Sequence, residues 1–113
     1  MNSIPPARPT TLSIRHLTWA LEEWPREEAE IAECFGVCLA DTQRIRIKEG
    51  LAPRLEAEIV LHECIHAMLF SHSLRRQDGM TEEDMAEWLP GALASLFNDN
   101  EALDVWWNHQ RMA

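Results

Sequence analysis

The sequence predicts an α+β fold, a short antiparallel sheet packed on one long helix and on a second core helix. Three observations carry that expectation. Arg44-Ile45-Arg46-Ile47 alternates charged and β-branched side chains, the pattern of a strand with one solvated and one buried face. From Pro53 to about Ser73 the chain reads as a single helix: Pro53 suits a first-turn position, Glu56 and Glu58 lie near the positive end of the dipole, and Arg75 and Arg76 follow the negative end. Thr81, with Asp84 three residues later, has the form of a capping box that opens another helix, whose Met85, Leu89, Leu93 and Leu96 share one face.

The elements follow in order. Residues 1–11 contain Pro5, Pro6 and Pro9 and are expected to be a flexible lead-in, with residues 12–113 forming one domain. Leu17 to Glu23 can form a first strand. Phe35 to Ala40 and Arg44 to Ile47 are two strand-like runs bracketing Asp41-Thr42-Gln43, which reads as a hairpin. The Pro53 helix comes next, then the Thr81 helix, in which Pro90-Gly91 is expected to kink or break the helix because Pro90 removes the hydrogen bond to Ala86. Asn98-Asp99-Asn100 reads as a stop, and Glu101 to Gln110 as a short terminal helix with Leu103, Trp106 and Trp107 turned inward and His109 turned to solvent.

Composition bounds the function. A chain of 113 residues with 46% hydrophobic content supports one modest core. Its net charge of −9 argues against a nucleic-acid surface, which needs clustered lysine and arginine. The apolar runs are too short to span a membrane and the N-terminus lacks the apolar block of a signal peptide, so a cytoplasmic protein is expected. Cys34, Cys38 and Cys64 fit a reducing compartment, with the first two read as small buried or half-buried residues of the sheet.

The chemistry is concentrated in His62-Glu63-Cys64-Ile65-His66, an H-E-x-x-H motif inside the long helix. Two imidazoles four residues apart lie on one helix face, about 6 Å apart along the axis, which suits two neighbouring ligands of a tetrahedral zinc ion. Glu63 is about 100° round the helix and can reach a water beside the metal without ligating it, the position of a general base. Leu55, Ile59 and Leu69 fall on the same side as the two histidines, so both imidazoles are expected to point into the core.

A third ligand must come from downstream. His72 lies six residues after His66, the metzincin spacing, but Leu69 stands where that pattern needs a glycine to turn the chain back. In the Thr81 helix, geometry alone favours Glu82, at the centre of the apolar stripe, over Glu83 on its flank, while Glu87 points away.

Leu61-His62-Glu63-x-x-His66-Ala67 followed by Glu83-Asp84-Met85-Ala86 resembles the gluzincin arrangement H-E-x-x-H…E-x-x-A. The chain is similar to small phage and prophage zinc metallopeptidases, which share their layout with the ImmA/IrrE-like and SprT-like families. The resemblance spans roughly residues 12 to 100 and is sharp only at the zinc motif. It implies a minimal zincin-like domain, Zn2+ held by His62, His66 and Glu83, with Glu82 and His72 as alternatives, and Glu63 as catalytic base in peptide-bond hydrolysis. It further implies a protein or peptide substrate that adds as a strand along a sheet edge beside the zinc helix. The competing reading is a non-catalytic, zinc-stabilised interaction or adaptor module.

Overall fold

A computed structural model describes residues 4–71 and 81–113. Among them the order is β1 (Thr11–Ile14), β2 (Leu17–Trp24), α1 (Arg26–Ala32), β3 (Gly36–Leu39), β4 (Arg44–Lys48), α2 (Pro53–Ser71), α3 (Glu82–Asn98) and α4 (Glu101–Arg111). The fold is α+β, as the sequence predicts.

The sheet has the order β1-β2-β4-β3 and is mixed, which corrects the expectation of an antiparallel one. β1 and β2 are antiparallel, β3 and β4 are antiparallel, and β2 runs parallel to β4 with Leu21 opposite Ile45 and Glu23 opposite Ile47. Parallel neighbours need a crossover rather than a tight turn. The stretch after β2 supplies it through α1, whose first turn carries Glu27 and Glu28 and whose C-cap, Glu33, takes a left-handed conformation at φ 56°.

β1 and its turn escaped the sequence reading. Arg15 and His16 connect β1 to β2 with φ of 50° and 71°. Positive φ at both central residues is the hairpin geometry usually supplied by Asn-Gly, so the pair Arg-His gives no sequence signal for it.

Leu12, Ile14, Trp19, Leu21, Ile45 and Ile47 place their side chains in the core, where they meet Val60, Cys64, Ala67 and Met68 of α2. Each fully buried large aliphatic side chain contributes about 1.5–3 kcal/mol relative to exposure. Elsewhere on the strands Glu22 pairs with Arg44 at 2.8 Å, while Glu28 and Glu30 of α1 stand 3.8 and 3.7 Å from Arg46 and Lys48. Such partly exposed pairs each contribute about 0–1 kcal/mol, so they orient α1 more than they stabilise it.

α4 packs along the N-terminal half of α2. Leu103 and Trp106 are buried, Trp107 Nε1 donates to the Ala57 carbonyl at 2.9 Å, and Gln110 Nε2 donates to Glu56 at 2.9 Å. His109 is exposed, as expected. Phe97 of α3 packs on Trp107 with ring centroids 5.6 Å apart. Asn100, between α3 and α4, exchanges two 2.8 Å hydrogen bonds with the backbone of Ser13 and so ties the outer edge of β1 to the helices.

The capping box is present: Asp84 N donates to Thr81 Oγ1 at 3.1 Å and Thr81 N donates to Asp84 Oδ2 at 3.0 Å. Those bonds hold the Asp84 carboxyl below its usual range. Pro90 does not break α3, which runs from Glu82 to Asn98 through it. Ala86 is exposed, so water can satisfy the carbonyl that Pro90 leaves without its helical donor. Within the N-terminal stretch, Arg8 forms ion pairs with Glu23 of β2 and Glu56 of α2. No helix among the described residues is long and apolar enough to cross a membrane.

Candidate functional site

The site is built on the middle of α2, where the helix passes β3. α2 carries apolar residues round most of its circumference, and it buries Ala57, Val60, Glu63, Cys64, Ala67 and Met68. That face differs from the one the sequence suggested. His62 and His66 are exposed at the rim, not in the core, and Glu63 is the buried polar residue, 6% exposed. The periodicity could not set the roll of α2, because Leu55, Ile59 and Leu69 offer one apolar stripe and Val60, Cys64 and Ala67 another. Packing on the sheet selects the second, which has the smaller side chains.

The two imidazoles meet. His62 Nε2 and His66 Nε2 are 3.3 Å apart, with ring centroids 4.9 Å apart and planes inclined at 71°. Two facing ring nitrogens need either one shared proton or a cation between them. Tetrahedral zinc with bonds of about 2.0–2.1 Å to nitrogen separates adjacent ligand atoms by about 3.3–3.4 Å. The separation of His62 Nε2 from His66 Nε2 matches that spacing.

Glu63 lies beside them, its Oε2 4.0 Å from His62 Nε2. That is beyond hydrogen-bond reach. Burial pushes the Glu63 carboxyl above its ordinary range, and the neighbouring His62 and His66 oppose the shift without cancelling it. A carboxylate raised in this way is a stronger proton acceptor than one in open water.

A cleft of about 430 Å³ opens over these groups. One wall is α2, with His62, Glu63, His66, Leu69 and Phe70; the other is β3 and its continuation, with Gly36, Val37, Cys38 and Ala40. Phe70 is held edge-on against the buried Trp19 at 6.1 Å, so the far end of the α2 wall is anchored in the core. Among the described residues β3 pairs only with β4 and is an edge strand of the sheet. The β3 wall is what reading the motif alone misses. Gly36 inside a strand-like run was the available signal, since glycine there marks a close backbone approach.

Glu82 and Glu83 are exposed in the first turn of α3, and neither is among the described residues lining the cleft. Among the described residues no three His, Cys, Asp or Glu side chains form a metal-holding group. The structure thus brings together His62, His66 and Glu63, but not Glu82 or Glu83 with them; His72 lies outside the described residues. Cys64, inside the motif, is not placed as a nucleophile. Cys64 is buried and its thiol is pushed up to about 12, by burial first and then by Cys38 and Glu63. Cys34 is exposed and precedes β3, which corrects its assignment to the sheet.

Comparison with protein-family models, with curated proteins and with solved structures gives no match to this chain.

Proposed function

We propose that the protein is a zinc-dependent peptide hydrolase of gluzincin type with Glu63 as its general base. The observation that carries the reading is the meeting of three groups at the cleft: two Nε2 atoms 3.3 Å apart and a buried carboxylate oxygen 4.0 Å from one of them. His62 and His66 would hold the zinc ion, and one further ligand would come from Glu83, with Glu82 and His72 as the alternatives. When bound, zinc supplies Lewis-acid chemistry, acidifying water and polarising a carbonyl.

The chain's own residues account for the remaining steps. Glu63 accepts the proton of the attacking water as its oxygen bonds to the peptide carbonyl carbon, and returns that proton to the amine as the C–N bond breaks. Its raised proton affinity suits both halves of the transfer. The open edge of β3 gives an extended peptide a row of backbone groups to pair with, and Val37, Ala40 and Leu69 offer apolar contacts to its side chains.

The test compares wild-type protein with Glu63→Gln on an unstructured polypeptide under zinc-replete conditions, with zinc content measured for both. Loss of a general base lowers hydrolysis by about 10²–10⁴-fold, and zinc content should be unchanged. Equal cleavage by both forms would remove Glu63 from the chemistry, and zinc binding with no cleavage by either would favour the adaptor module.

A further inference from the structure

Gly36 of β3 lies against Ile59 and Glu63 of α2. A Cβ at this position would stand 2.8 Å from Ile59 Cγ2, 3.0 Å from Glu63 Cγ and 3.1 Å from Glu63 Oε2. Unbonded carbon atoms settle at about 3.5–4.0 Å. Only a residue without a side chain lets β3 approach α2 this closely.

Neither element can step back cheaply. Gly36 is paired with Ile47 of β4, which is fully buried, and Phe35 O accepts from Lys48 N at 2.8 Å next to it. On the other side Val60, Cys64 and Ala67 of α2 are fully buried. Any atom added at 36 must therefore displace the side chains of Ile59 and Glu63. Ile59 is half-buried and one helical turn before Glu63, so it can yield toward solvent. Glu63 is buried and lines the cleft, so the space open to it is the cleft itself, away from its present place 4.0 Å from His62 Nε2.

We propose that Gly36 is a positioning residue for Glu63: the bare main chain of β3 closes one side of the carboxyl group, which keeps Oε2 beside the histidine pair and keeps bulk water off it. The inference rests on the peptidase reading for its catalytic consequence, but the contact itself is independent of that reading. The added Cβ asks Glu63 to give by a few tenths of an ångström, and since a misplacement of about 1 Å in a reacting group lowers rates by roughly a hundredfold, the smaller shift should cost several-fold. Gly36 would thus act on turnover more than on substrate binding, and not on the metal.

The experiment uses the full chain loaded with zinc and a casein substrate, with Gly36→Ala, Ile59→Ala, the two combined, and Glu63→Ala with and without Gly36→Ala. Zinc content, melting temperature, kcat and KM are read for each. Gly36→Ala should lower kcat roughly threefold to tenfold while zinc content holds, with kcat falling by more than KM rises. Its cost in melting temperature should be smaller in the Ile59→Ala background, yet kcat should stay low there. Recovery of kcat together with stability in the Gly36→Ala, Ile59→Ala protein would show packing alone, and an unchanged kcat in Gly36→Ala would overturn the proposal outright. Should wild type and Glu63→Ala prove equally inert on casein, the peptidase reading fails, and the melting temperatures decide the contact. Gly36→Ala should then cost less in the Glu63→Ala background than in wild type, and an equal cost overturns it.

Discussion

Glu63→Gln is expected to stabilise the metal-free protein at neutral pH, against the usual effect of altering a buried residue. The Glu63 side chain is 7% exposed and its carboxylate is 4.0 Å from His62 Nε2, so ionisation removes water from a charge and returns no hydrogen bond there. Burial raises its proton affinity above the ordinary value, with His62 and His66 opposing only in part. A raised carboxyl contributes stability that is fully present below the unfolded-state pKa, about 4.3, and is lost as pH rises through the folded-state value. As the pH rises through that value the wild type loses the contribution, whereas glutamine has the same shape and no charge to desolvate. Relief of a functional strain of this kind is worth about 0.5–2 kcal/mol. For a domain of this size that raises the melting temperature by about 2–8 °C. The assay is thermal unfolding of both forms in chelator from about pH 4 to about pH 8. The advantage of glutamine should be absent at the acid end and grow with pH. A glutamine variant less stable than wild type at neutral pH, or a difference that does not change with pH, would refute the reasoning.

Two further outcomes follow. Glu83→Gln should lower zinc affinity by more than the roughly 10–100-fold that loss of a supporting partner costs, and Glu82→Gln should not; equilibrium zinc titration decides, and a large effect confined to His72→Ala would instead give the third position to His72. In the native protein an alkylating reagent at neutral pH should modify Cys34, which is exposed, and spare Cys64, which is buried with its thiol pushed up to about 12. Peptide mapping by mass spectrometry reads both, and rapid native labelling of Cys64 would contradict the packing of α2.

Local chemistry made much of this molecule legible in advance. Thr81 and Asp84 announced the start of α3 because a capping box is satisfied within four residues, and the alternation in β4 marked its buried Ile45 and Ile47. The spacing of His62 and His66 placed their rings together because it depends only on the helix repeat. What depended on tertiary packing was hidden. The roll of α2 was ambiguous between two apolar stripes, and the sheet's choice put the histidines at the rim and Glu63 inside. The parallel pairing of β2 with β4 is set by the crossover through α1, a stretch with no strong local signal. The β1–β2 turn uses Arg15 and His16 at positive φ, where their residue types give no hint of it. Glu82 and Glu83 could be ranked from periodicity only if their helix buried its first turn, and that turn is exposed.

The central claim is that one zinc ion sits between the two imidazoles of α2, and anomalous scattering from crystals of the zinc-loaded protein, collected at the zinc absorption edge, tests it most directly. The predicted result is a single strong peak about 2.0–2.1 Å from Nε2 of both His62 and His66, on the cleft side of α2. A zinc-loaded crystal with no peak at the pair, or with its zinc bound at another site such as Cys34 or His109, would contradict the account.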